Sequence, residues 1–167
     1  MKRVFLILCI ALFSMGAFAQ GKGDIAVGGN LSYGFNSETF AIGAKAQYYI
    51  TDQIRAEANA DYWLKKEGFT WYDAIANLHY LIGITDKVKV YPLAGVGYLG
   101  YSSSARDFHE GNVTIKVGSS SGGDVFFNTG GGAQYSLTDK ITISAELKYM
   151  SKDSGQFWVS TGVAFKL

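Results

Sequence analysis

The sequence predicts an all-β fold, an eight-stranded antiparallel up-and-down barrel, and three observations carry that prediction. Apolar and polar residues alternate with period two along most of the chain, the pattern of strands with two unlike faces. The stretches "ITDQI" at 50–54, "ITDKV" at 84–88 and "LTDKI" at 137–141 repeat one tight-turn chemistry at unequal spacings, which excludes a fixed-period solenoid. The composition is the third: 21 glycines, one proline, 11 tyrosines, 11 phenylalanines and three tryptophans suit many short strands.

The first 19 residues stand apart. Lys2 and Arg3 precede an apolar core from Val4 to Met15, and Ala17-Phe18-Ala19 is a small-x-small cleavage site, so 1–19 reads as a helical secretory signal peptide cleaved before Gln20. The apolar core is short for a retained transmembrane helix. The only cysteine, Cys9, falls inside this segment and too early for lipoprotein processing, so the mature chain has no disulfide and no thiol chemistry. Without Lys2 and Arg3 the chain carries 13 basic and 14 acidic residues, and no basic run points to nucleic acid. Residues 20–167 fit one domain.

The strands follow in order. Strand one (25–33) sets Ile25, Val27, Leu31 and Tyr33 against Asn30 and Ser32. Strand two (40–50) sets Phe40, Ile42, Ala44, Ala46 and Tyr48 against Lys45 and Gln47. Strand three (54–63) opposes Ala56, Ala58, Ala60 and Tyr62 to Arg55, Glu57, Asn59 and Asp61, and strand four (72–82) opposes Tyr72, Ala76, Leu78 and Tyr80 to Asp73, Asn77 and His79. Strand five (88–98) carries Val88, Val90, Val96 and Tyr98 opposite Lys89, Gly95 and Gly97, with Pro92 predicting a bulge or an unpaired carbonyl. In strand six (127–135), Phe127, Ala133 and Tyr135 oppose Asn128, Gly130, Gly132 and Gln134. Strand seven (141–149) splits Ile143, Ala145, Leu147 and Tyr149 from Ser144, Glu146 and Lys148. Strand eight (159–167) splits Val159, Val163 and Phe165 from Ser160 and Lys166.

The apolar faces of all eight strands lack charge. The three Thr-Asp turns follow strands two, four and six, so they share one end of the meander, where Thr and Asp oxygens can accept from nearby backbone N–H groups. The connections at the other end are longer, above all 102–124. Short turns at one end and long loops at the other are the plan of a transmembrane β-barrel, whose strands must close because an open edge is excluded in hydrocarbon.

A soluble ligand-binding barrel would share the alternation, but three features favour the membrane. Phe40 and Tyr48, Tyr72 and Tyr80, Phe127 and Tyr135, and Phe157 and Phe165 are each eight residues apart, roughly 20 Å along tilted strands, the height of a lipid-facing band between aromatic girdles. Tyr33, Tyr62, Tyr98 and Tyr149 supply one girdle residue on each remaining strand. The polar face is rich in glycine, which suits the narrow interior of eight strands. Finally, Lys45, Arg55, Lys89, Lys148 and Lys166 balance Asp24, Glu57, Asp61, Asp73 and Glu146, the composition of an enclosed charge network that plugs the lumen.

These features, with the stretch "YPLAGVGY" at 91–98, resemble the small OmpA/OmpX-like outer-membrane β-barrels, often grouped as a porin family. The resemblance covers the whole mature chain. It implies the outer membrane of a Gram-negative bacterium, periplasmic N- and C-termini, and a surround of outer-membrane lipid and lipopolysaccharide. It also implies the barrel-assembly machinery and periplasmic chaperones as partners in biogenesis, with no cofactor. The end "VAFKL" departs from the aromatic C-terminal residue usual in such barrels, with Phe165 two positions earlier on the same face. No peptidoglycan-binding domain is expected beyond strand eight.

The expected function is non-catalytic: a barrel displaying loops for envelope integrity or surface interaction. A narrow channel or porin for small solutes is the alternative, followed by a lipid-modifying outer-membrane enzyme. "SSSARDFHEGN" at 102–112 holds Asp107 and His109 among serines, but the run is loop-like. His79 lies on the inward face with no nucleophile–base pair beside it, and no cluster has metal-ligand spacing. Gly130-Gly131-Gly132 lacks the Lys-Ser/Thr of a phosphate loop. In the long loop, "NVTIKV" at 112–117 alternates and is expected to extend strands five and six, which makes Phe108, His109 and Ile115 candidate contacts for a surface partner.

Overall fold

The computed structural model describes residues 21–66, 69–103, 106–110, 113–117, 120–152 and 155–167, so the expected signal segment lies outside the described residues. The strands are β1 (Ile25–Gly34), β2 (Thr39–Tyr49), β3 (Ile54–Lys66), β4 (Phe69–Tyr80), β5 (Ile82–Gly83), β6 (Val88–Ser103), β7 (Arg106–Glu110), β8 (Val113–Val117), β9 (Ser120–Ser136), β10 (Ile141–Ser151) and β11 (Gln156–Lys166). The sheet runs β4-β3-β2-β1-β11-β10-β9-β6, and β4 pairs with β6 to close the ring. Every barrel pairing is antiparallel. The result is a closed eight-stranded all-β barrel in which β5 continues β4.

Closure turns one sheet face outward and encloses the other. Ile42, Ala58, Ala76, Val96, Ala145 and Leu147 point out and are exposed, while Lys45, Glu57, Asn77, Glu146 and Lys148 point in and are buried. Each of the eight barrel strands carries an outward aromatic toward the loop end; Tyr33 packs against Phe40 with ring centres 4.8 Å apart and Tyr149 against Phe157 at 5.0 Å, both pairs tilted. Tyr48, Tyr80, Tyr135 and Phe165 form the second band near the turns. The two bands therefore differ, with twice as many aromatics toward the loops.

The three repeated turns share one mechanism, and threonine performs it. Thr51 Oγ1 accepts from the N–H of Gln53 and Ile54, Thr85 Oγ1 from Lys87 and Val88, and Thr138 Oγ1 from Lys140 and Ile141, all at 2.9–3.3 Å. The aspartates stay exposed, and Asp52 accepts from the N–H of Lys22 at 2.8 Å.

One expectation is narrowed and another changes. Pro92 causes no bulge. The β4–β6 ladder lapses opposite it, at Tyr80 and Leu81, and resumes at Ile82↔Val90 in the same register. Proline has no N–H to give, so the lapse fits the missing donor rather than a bulge; the Leu81 N–H faces the other neighbour and donates to the Gln53 carbonyl at 2.6 Å. The register shift falls elsewhere, between Trp63 and Lys66.

The segment 102–124 is not one long loop. β6 and β9 stay paired to Ser103↔Ser120, and β9 beyond Phe127 has no partner in β10, so this ribbon rises past β10, while β4 stays paired with β6 to Phe69↔Ser103. β7 and β8 form a separate two-stranded sheet, with Phe108 opposite Ile115 and His109 opposite Thr114, rather than prolonging β6 and β9.

Candidate functional site

The barrel encloses a lumen, and its side chains come from the inward positions of all eight strands. Its centre is ionic. Lys148 Nζ lies 3.1 Å from Glu146 Oε2, and the Tyr91 hydroxyl donates to Glu146 Oε1 at 2.8 Å. Lys45 reaches across the lumen from β2 to Ser144 Oγ on β10 at 2.9 Å and lies 3.9 Å from Glu57, which also accepts from Gln47 at 2.7 Å. Arg55 donates from Nη1 to Gln134 Oε1 at 2.6 Å and to the Tyr49 hydroxyl at 3.1 Å. Its guanidinium sits 4.8 Å from the Tyr91 ring centre, a cation–π contact, and Tyr91 in turn stacks on His79 at 4.8 Å. Tyr91 fits because residue 132 is glycine: a Cβ there would lie 2.7 Å from its ring.

Asp61 and Asp73 lie nearer the loop end and are bound differently. Asn30 and Asn59 donate to the two oxygens of Asp61 at 2.6 and 3.0 Å. Trp63 Nε1 donates to Asp73 Oδ2 at 2.6 Å. The residues expected as one network thus divide: Lys45, Arg55, Glu57, Glu146 and Lys148 share the centre, while Asp61 and Asp73 share amides and an indole. Lys89 is only half-buried, beside the turns. Lys166 and Asp24 pair with each other at that rim, at 2.6 Å. The Lys166 hydrogen bond, helped by the Gly21 N–H, holds the Asp24 carboxyl below its ordinary range.

Apolar layers cap this polar interior. Toward the loops, Ala41, Trp63, Ile75, Phe126, Met150 and Trp158 pack together, none more than 4 % exposed. The Trp63 and Trp158 rings are 5.1 Å apart, and Phe126 meets Trp158 edge-on at 5.7 Å. Toward the turns, Tyr49, Leu81, Tyr91 and Leu93 form the second layer. Sequence reasoning treated the whole inward face as polar and missed both layers. The signal was present: Tyr49, Trp63, Phe126 and Trp158 interrupt the polar positions near their ends.

Folding also gathers Glu57, His79 and Glu146, whose candidate ligand atoms all lie within 4.8 Å. The donor set does not fit a metal. Arg55 donates to His79 Nδ1 from Nε at 3.1 Å and from Nη2 at 2.6 Å, so a neutral His79 carries its proton on Nε2, the atom facing Glu57. A cation would also have to displace Lys45 and Lys148 from the two glutamates. The side chains of Asp107, Phe108, His109 and Ile115 lie outside the described residues.

Comparison with known proteins bears on the fold. The N-terminal β-barrel domain of Pseudomonas aeruginosa OprF is similar at a TM-score of 0.68 with 16% identity, covering 89% of this chain and all of that one. Neisserial surface protein A gives 0.61 at 16% identity over 86% of this chain and 96% of that one. Ail, the attachment invasion locus protein of Yersinia pestis, gives 0.56 at 16% over 89% and 99%. Comparison with curated proteins found no match. The outer membrane protein beta-barrel domain family matches residues 5–165. With its closed barrel and outward aromatic bands, the chain belongs to that family and is a protein of the outer membrane.

Proposed function

We propose that this protein is a non-catalytic barrel with a plugged lumen. Its work is done on the loop side, where the β6–β9 ribbon and the β7–β8 hairpin stand above the membrane for envelope integrity or surface interaction. The single observation that carries this reading is the double closure of the lumen, by the Trp63–Phe126–Trp158 layer at one end and the Tyr49–Leu81–Tyr91–Leu93 layer at the other. An eight-stranded barrel is just wide enough for its own side chains, and the buried ion pairs between the two layers occupy the rest.

In this reading the turns face the periplasm and the ribbon faces outward. Outer-membrane lipid and lipopolysaccharide contact the aromatic bands, and chaperones and the barrel-assembly machinery deliver the chain. Phe108, His109 and Ile115, on β7 and β8, are the proposed contacts for a surface partner. Conductance of the refolded protein in planar bilayers tests the plug: no steady current of porin size is expected. Such a current would establish the narrow channel instead. Replacing 104–119 with a short turn is expected to leave refolding intact while removing any partner binding. Failure of that variant to refold would make the hairpin structural.

A further inference from the structure

Charge does not balance in the deep lumen. Three buried cations, Lys45, Arg55 and Lys148, face four buried carboxylates, Glu57, Asp61, Asp73 and Glu146. Lys45 and Lys148 are engaged by the glutamates, and Arg55 by His79, Gln134 and Tyr49. Asp61 and Asp73 are left as direct cross-strand neighbours, and among the described residues no lysine or arginine lies at ion-pair distance from either. Opposed residues of this kind place their Cβ atoms about 5 Å apart. Both are at least nine-tenths buried, where an unpaired carboxylate is costly.

Oxygen atoms around this pair also lack donors. Asn30 Oδ1, Asn59 Oδ1 and Asp73 Oδ1 are buried with no hydrogen-bond partner. Both asparagines give their amide N–H groups to Asp61, which fixes their orientation: turning either amide over would set its oxygen against the carboxylate. Asp61 itself reaches this place by lying over Gly43, where a Cβ would collide with Asp61 Oδ1. Each Asp61 oxygen accepts one amide N–H and keeps further acceptor capacity. The cluster therefore presents two carboxylates and two amide carbonyls, oxygen only, with no nitrogen or sulfur ligand.

From this juxtaposition we infer that Asn30, Asn59, Asp61 and Asp73 form a binding site for one hard metal cation inside the loop-side half of the lumen. Oxygen-only sets of carboxylates and carbonyls suit calcium, whose six to eight ligands tolerate irregular geometry. A single sodium ion would cancel the excess lumen charge. The Glu57–His79–Glu146 group is unsuited, because two lysines and Arg55 already surround it.

Terbium, a luminescent stand-in for calcium, tests the site because Trp63 donates to Asp73 and is placed to sensitise it. The full mature chain is refolded in chelator, then in terbium, calcium or sodium salts against an organic-cation control. Expected are tryptophan-sensitised terbium emission saturating at one ion per barrel, competition by calcium or sodium, and a higher unfolding midpoint with the competing ion. Which ion competes identifies the charge the site takes. Asp61→Asn and Asp73→Asn are expected to abolish emission, while Asp86→Asn on a turn leaves it unchanged. Heat-modifiable migration verifies folding of each variant, and Asn59→Ala is a second probe if either aspartate variant fails to fold. Emission unaffected by these substitutions overturns the inference. So does an unfolding midpoint that responds to none of the metal ions and only to pH, which would assign the excess charge to a shared proton.

Discussion

In the central lumen, Glu57 and Glu146 face ammonium groups, and Arg55 is held by Gln134, a phenol and an imidazole. A few residues along the same inward face, Asp61 and Asp73 are bound by asparagine amides and an indole, beneath a layer of tryptophans. Both regions bury carboxylates to the same degree. They differ in what answers the charge, and that difference governs how each half responds to substitution. Removing one partner of a buried ion pair strands the other, whereas removing a carboxylate that no side-chain cation answers strands no charge when metal ions are absent.

The largest effect is expected in the centre. Glu146→Gln leaves Lys148 without its counter-ion and weakens the Tyr91 contact, and it should lower stability by about 3–5 kcal/mol in urea unfolding from detergent or lipid. Glu146→Leu combined with Lys148→Met should recover most of that loss, because no charge is then stranded. Asp73→Asn, measured in chelator, should be far milder. Equal losses for Glu146→Gln and Asp73→Asn would erase the distinction between the two halves.

Trp158→Ala probes the loop-side layer directly. It leaves a cavity beside Trp63 and Phe126, and a loss of about 3–5 kcal/mol is expected. The outward face supplies the contrast to both lumen regions. Arginine in place of Ala58 should cost about 2–4 kcal/mol near mid-membrane, although a spin label at the same place should report lipid rather than water. Thr51→Ala, Thr85→Ala and Thr138→Ala each remove the oxygen that accepts from two backbone N–H groups in a turn, at a cost of about 1 kcal/mol per substitution. The corresponding Asp→Asn changes should be nearly silent for Asp86.

The smallest effect concerns the rim. Because Lys166 and the Gly21 N–H lower the Asp24 pKa in the folded protein, the unfolded state binds the proton more tightly. The associated stability is fully present above the ordinary aspartate range near pH 4 and is lost as pH falls through the lower folded value. Unfolding midpoints measured across acidic pH should show this slope in the native chain and less of it in Asp24→Asn.

Much of the fold was legible from periodicity. Ala58, Val96 and Leu147 were separable from Glu57, Asn77 and Lys148 because a strand has only two faces and one of them lacks charge. The site was less legible. The alternation says that Tyr91, His79 and Arg55 share a face, but not that Tyr91 stacks on His79 beneath Arg55. Those contacts join β3, β4 and β6 across the barrel interior, and side-chain direction inside a closed ring depends on what every other strand leaves open. Of the two outcomes expected at Pro92, the bulge is absent and the ladder lapses opposite it, because the pairing of strands decides where a missing N–H is felt.

By itself, the sequence determined the eight strands, the common end of the three Thr-Asp turns, the uncharged outward face and the aromatic bands. Each is a local pattern, read from residues two to eight positions apart. Only the tertiary structure decided that Thr rather than Asp caps the turns, that tryptophan and tyrosine layers pack inside the barrel, and that the described part of 102–124 holds a continued β6–β9 ribbon and a separate β7–β8 hairpin. It alone also decided that the buried charges divide into a centre where cations outnumber carboxylates and a separate pair of aspartates. Those outcomes depend on which residues meet across the ring, and burial then makes each unmet charge or amide costly enough to choose its partner.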